Sequence, residues 1–206
     1  MNRKGQSQDY LWQIALTLQH HGIISQVTEE MIRQACDGLR KLAAEEGYGP
    51  VEMISSSLTV FIPQPFNRRV SYDTEYVDCG KEYAELVQEY ANATMAEWTP
   101  DHLTAERIHI REGQCLETID FDFRGQHFHW QFEADGSDWV QHAFVELMNE
   151  FAANHLEGAF FLIYESICTQ GVLFYYLPHK AVFDLNTIIE QASERFLDLD
   201  AFVEAL

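Results

Sequence analysis

The chain has 206 residues, 47% hydrophobic and 13% aromatic, which excludes a disordered polypeptide and supplies a packed core without disulfide staples. Thirteen Lys plus Arg stand against thirty-three Asp plus Glu, a formal net charge of −20. A surface this negative repels phosphate backbones and anionic membranes, so no nucleic acid and no membrane is expected as a partner; it attracts basic macromolecules and speeds their association.

The N-terminal run Met1–Ser7 carries two basic residues but no apolar segment behind them, so neither a secretory signal nor a membrane span is expected. Cys36, Cys79, Cys115 and Cys168 are far apart and form no Cys-x-x-Cys pair. That is the usage of reduced thiols in a cytoplasmic protein. Length and pattern together predict one compact domain over residues 1–206, with the helical part up to about residue 50 separable as a subdomain.

Leu11, Ile14, Ala15 and Leu18 recur at helical spacing and Gly22 follows as a stop. Thr28 is placed to cap a second helix, with Glu29 and Glu30 in its first turn and an apolar stripe through Met31, Ile32, Ala35, Leu39, Leu42 and Ala43. Leu58–Ile62 reads as a short strand closed by Pro63 and Pro65. A third helix is expected from Lys81 to about Trp98, with Tyr83, Leu86, Val87, Tyr90 and Ala91 inward and Glu82, Glu85 and Glu89 outward.

From Glu106 the period changes to two. Arg107–Arg111, Gln114–Phe123 and Gln126–Glu133 alternate around Glu112-Gly113 and Arg124-Gly125, which sit where two-residue hairpin turns belong. Pairing across those turns puts Ile108, Ile110, Cys115, Ile119, Phe121, Phe128, Trp130 and Phe132 on one face. The other receives Arg107, His109, Arg111, Thr118, Asp120, Asp122, His127, His129 and Gln131. A meander with one dry and one wet face has this signature. Asp135-Gly136-Ser137-Asp138 opens a helix with the stripe Val140, Phe144, Leu147, Met148 and Phe151. Ala159–Tyr164 and Gly171–Leu177 are apolar runs expected as two further strands of the same sheet, and a last helix starts near Asp184. The fold class is therefore α+β: an antiparallel sheet packed against helices, with a helical N-terminal third.

The chemistry-bearing candidate is His127-Phe128-His129. Residues i and i+2 of a strand share a face, and the expected register sets Asp122 opposite His127 and Asp120 opposite His129. Such a group could hold a metal or supply a base with its orienting acid. The same residues also make an ordinary favourable cross-strand pair, which needs no third ligand. The expectation is accordingly no metal and no other cofactor. His20-His21 suit a helix C-terminus. Ser166 and Cys168 lie in a polar connection without the surroundings of a nucleophile elbow. The sequence holds no phosphate-binding glycine loop and no His-Glu-x-x-His, so no catalytic residue is assigned. Glu29-Glu30, Glu45-Glu46 and the stripe Glu82, Glu85, Glu89 are solvated faces that add to the acidic field.

In size, acidity and its strand-rich second half, with the runs Gly158-Ala159-Phe160-Phe161-Leu162-Ile163-Tyr164 and Gly171-Val172-Leu173-Phe174-Tyr175-Tyr176-Leu177, the chain resembles bacterial immunity proteins. These are the proteins kept against polymorphic toxins, including those of contact-dependent growth inhibition. The resemblance implies a cytoplasmic protein that binds one cognate basic toxin domain, often a nuclease, and occludes its active site. These families share no motif, so no residue role is transferred. The candidate contact residues are read from charge and placement: Glu82, Glu85 and Glu89 on a helix, and Asp120, Asp122, His127 and His129 on the sheet. The alternatives are a metal- or ligand-binding enzyme centred on His127 and His129, and an acidic scaffold or adaptor subunit.

Overall fold

The structure is a computed structural model that describes residues 6–43, 50–63, 65–77, 80–111, 113–163 and 171–196. In chain order its elements are α1 (Gln6–His20), α2 (Glu29–Leu42), α3 (Pro50–Ser56), α4 (Leu58–Phe61), β1 (Arg69–Asp73), α5 (Glu82–Ala93), β2 (Asp101–Arg111), β3 (Gln114–Phe123), β4 (Gln126–Ala134), α6 (His142–His155), β5 (Gly158–Ile163), β6 (Gly171–Pro178) and α7 (His179–Arg195). The expected α+β class, with helices leading, is what forms. Cys79, the Glu45-Glu46 pair, Glu112, Ser166, Cys168 and the tail from Leu197 lie outside the described residues. Among those described, no helix is long and apolar enough to cross a membrane.

The chain divides into two compact units. One comprises Met1–Phe66, Phe161–Thr169 and Leu177–Leu206 and holds α1 to α4 and α7. Leu11, Ile14, Ala15 and Leu18 are all fully buried, and Gly22 takes φ +69° where the chain leaves α1. Thr28 Oγ1 accepts from the Met31 backbone N–H at 3.2 Å, the N-cap its position suggested. The buried stripe of α2 is Ile32, Ala35, Cys36 and Leu39. The Tyr10 hydroxyl of α1 donates to the Gln191 carbonyl of α7 at 3.4 Å, and its ring meets Phe196 edge-on. α7 begins five residues before Asp184 and buries Ala181, Leu185, Ile188, Ile189 and Ala192.

The strand expected over Leu58–Ile62 is instead the short helix α4. Local hydroxyls explain the change: Ser55 and Ser56 donate back to the Glu52 carbonyl at 2.9 and 2.8 Å, and Ser57 to that of Ile54 at 2.6 Å. These bonds hold the backbone in turns, and Leu58, Phe61 and Ile62 are buried at helical spacing. β propensity yields to context here.

The other unit comprises Asn67–Phe160 and Gln170–Tyr176. It contains a three-stranded sheet ordered β2-β3-β4, together with β1, most of β6 and the start of β5 from a second one ordered β1-β6-β5. The last two strands therefore do not extend the meander. β6 takes β1 as its antiparallel partner, from Arg69 opposite Tyr175 to Asp73 opposite Gly171. α5 stops at Ala93 rather than near Trp98: the Thr94 hydroxyl donates to the Ala91 carbonyl (2.7 Å) and accepts from Trp98 N–H (2.9 Å). Met95 and Ala96 then adopt positive φ. The stripe expected for α6 holds at Phe144, Met148 and Phe151. Val140 instead precedes the helix, its N–H bonded to the Thr74 carbonyl at 2.7 Å. A chain of ring contacts forms the core: Tyr83 meets Phe132 and Phe144, Tyr90 meets Phe144, Phe160 and Phe174, and Trp98 meets Phe121 and Phe151.

The β3–β4 hairpin has the expected register: Phe123 pairs with Gln126 across Arg124-Gly125, both at positive φ. The β2–β3 register differs by one residue. Arg111 still pairs with Gln114, but His109 pairs with Cys115, which leaves Ile110 as an extra residue on β2. Such a bulge moves every preceding side chain of the strand to the other face. Arg107 and His109 thus join the dry face, whereas Ile108 and Ile110 are 48% and 57% exposed, the reverse of the sequence expectation.

Candidate functional site

The wet face of the meander carries the predicted cluster. Asp120 stands opposite His129 and Asp122 opposite His127. The Nδ1 of His129 lies 2.8 Å from Asp120 Oδ1 and that of His127 2.9 Å from Asp122 Oδ1, while His127 Nε2 is 3.3 Å from Asp120 Oδ1. His102 joins them, its Nδ1 2.8 Å from Asp122 Oδ2. Sequence reading missed His102 because it sits outside the alternating run, at positive φ, beside a second irregularity between Asp101 and Thr104.

Hydrogen bonds from His102 and His127 hold the Asp122 carboxyl below the usual carboxylate range. The hydrogen bond to Asp120 and that carboxylate's charge raise the imidazolium of His129 above its ordinary value. These residues form a row of carboxyl groups, each bonded to imidazoles that remain open to solvent. Farther along the same face stands the exposed Ile108, opposite Leu116, and Ile110 is exposed at the bulge beyond it. Among the described residues, no group of three or more His, Cys, Asp and Glu side chains could hold a metal ion.

The second acidic candidate is the outer side of α5. The Tyr76 hydroxyl donates to Glu85 Oε2 at 2.6 Å, and that bond, with partial burial and the charges of Glu82 and Glu89, pushes the phenol up to about 12. Glu85 is thus engaged within the chain, and Glu89 is exposed. Glu30 is likewise taken up along its own helix, bonded by Arg33 and Gln34, and His21 pairs with Asp184 at 2.8 Å.

On the dry side, the register shift brings together residues that the sequence kept apart. Arg107 pairs with Glu117, both side chains almost wholly buried, and Cys115 Sγ lies 3.1 Å from His109 Nδ1. Burial pushes the Glu117 carboxyl up and the adjacent guanidinium opposes that shift. The sequence signal for this pair is a charged residue at an inward-alternating position, Glu117 between Cys115 and Ile119.

Fold and site define a class: an acidic α+β protein that presents one open face of an antiparallel meander. Compared with protein-family models, with curated proteins and with solved structures, the chain matches none.

Proposed function

We propose that this chain is a binding protein for a basic protein domain, and that it acts as an immunity protein, occluding a cognate bacterial toxin through the open meander face. The observation that carries the reading is the placement of Asp120 and Asp122 on an open sheet face, with Ile108 and Ile110 exposed beyond them, in a chain of net charge −20. The long-range field steers a basic partner toward the face. The carboxylates take the place of the phosphates that a nuclease would hold, and the isoleucines supply apolar contact that slows dissociation. The sheet face is favoured over α5 because it combines charge with the exposed apolar area of Ile108 and Ile110.

The reading is tested by capture of a partner from the native cytosol or from the product of the neighbouring gene, followed by binding kinetics. Asp120→Asn with Asp122→Asn should slow association and flatten its salt dependence. Ile108→Ser with Ile110→Ser should mainly speed dissociation. A partner whose association rate is unchanged between about 0.05 and 0.5 M salt, over which the screening length falls from above to well below about ten ångströms, would overturn it.

A further inference from the structure

On the dry side of the meander, at its β4 edge, lies a cavity of about 240 Å3 lined by Phe128, Trp130, Leu147, Glu150, Phe151, Asn154 and His155. Its walls are aromatic. Phe128 meets Phe151 edge-on at 5.2 Å between centroids, Trp130 meets Phe151 at 5.8 Å, and the His155 ring stands edge-on to Phe128 at 5.0 Å. Phe151 and Trp130 are buried, Phe128 is half-buried, and Glu150 and Asn154 are exposed at the rim.

The rim is rich in acceptors. Asn154 Nδ2 uses one of its two N–H donors on the Glu150 carbonyl at 3.0 Å, and its side-chain oxygen is an acceptor. Among the described residues the Glu150 carboxylate has neither a hydrogen bond nor an ion pair. A guest that satisfies both the walls and the rim needs an apolar stem and a terminus that only donates. Lysine and arginine side chains fit that description: a methylene stem, a cation that aromatic faces attract, and N–H groups with no acceptor. A neutral apolar guest gains nothing from the hydrated carboxylate, and an anion is repelled by it. The chain shows the same chemistry nearby, where the Arg124 guanidinium sits 4.7 Å above the Phe123 ring.

The geometry points to this cavity as the receiving pocket for one cationic side chain, Lys or Arg, of a basic protein partner. It goes beyond the sheet-face reading, because it assigns a site on the opposite face of the meander. Charge complementarity selects the occupant: thirty-three acidic residues against thirteen basic ones favour a cationic guest over a neutral or acidic one.

The test uses the purified full chain and no partner, so its failure is separate from failure of the sheet-face reading. N-acetyl-lysine methylamide and N-acetyl-arginine methylamide are titrated against N-acetyl-norleucine methylamide, their neutral counterpart. NMR of the Trp130 indole, assigned with Trp130→Phe, reports occupancy. At least one cationic probe should shift the indole signal and bind about fivefold or more tighter than norleucine, a preference to which the Glu150 charge and the aromatic walls both contribute. Glu150→Gln, at an exposed helix position, should reduce that preference by about half or more. Equal binding of cationic and neutral probes would overturn the proposal. So would a cation preference undiminished in Glu150→Gln, or no Trp130 shift with any probe.

Discussion

Arg107 and Glu117 face each other across β2 and β3 as an ion pair with side chains 4% and 0% exposed. Arg107 Nε donates to Glu117 Oε1, while among the described residues Glu117 Oε2 has no hydrogen-bond partner. A pair so placed is a poor source of net stability, since desolvation of both ions offsets most of their attraction, but loss of either partner strands the other. Arg107→Met or Glu117→Met alone should therefore cost about 3–5 kcal/mol. The double variant should cost clearly less than the sum of the two. Denaturant midpoints of the three variants check this, and additive losses would contradict it.

Gly80 closes over that pair. A Cβ there would lie 2.6 Å from Glu117 Oε2 and 2.9 Å from the Arg107 backbone nitrogen, at φ +85°. Gly125 has a similar φ of +77° with nothing within 4 Å of its Cβ position. Gly125→Ala should lose about 1–2 kcal/mol from backbone conformation alone. Gly80→Ala should lose distinctly more, and the difference in melting stability isolates the steric contact from the conformational cost. Equal losses would mean that the pair gives way freely.

The His–Asp row makes a prediction about pH. His129 has a raised folded value, so its contribution is fully present below about 6.5 and is lost as pH rises through the folded value. Asp122 has a lowered one, so its contribution is present above about 3.8 and is lost as pH falls through the folded value. Both operate fully in mildly acidic solution, between those two limits. In NMR titration the His129 ring should titrate above 6.5 and return toward it in Asp120→Asn. An unshifted His129 in the parent chain would refute the pairing. Protonation of His129 also offsets the charge of Asp120, so a basic partner should associate more slowly below the folded value of His129 than above it.

After α5 the chain turns through Met95 (φ +58°) and Ala96 (φ +70°), two non-glycine residues in the left-handed region. Both are exposed, so their side chains contribute little packing to offset the strain. Ala96→Gly should raise stability by about 0.5–1 kcal/mol, the relief of left-handed strain less the added freedom of the unfolded chain. Thermal denaturation measures it, and a lower midpoint would show that the turn is not strained.

Part of this protein was legible in local pattern. Leu11, Ile14, Ala15 and Leu18 announced a buried helix face because helical period is a local property. Arg124-Gly125 fixed a hairpin, and the hairpin fixed Asp120 against His129 and Asp122 against His127, because a two-residue turn leaves no choice of register. The α+β class followed from the switch of period near Glu106. What local pattern could not carry was decided by tertiary contact. The bulge at Ile110 depends on how β2 seats beside β3, and that one extra residue buried Arg107 against Glu117 and turned Ile108 and Ile110 to solvent. The partnership of β6 with β1 joins segments about a hundred residues apart, a distance over which no periodicity speaks. Leu58–Phe61 became a helix because neighbouring serine hydroxyls and burial outweighed strand propensity. The pocket at Trp130 and Phe151 exists because a strand and a helix, each readable alone, meet at an angle that no one-dimensional pattern encodes.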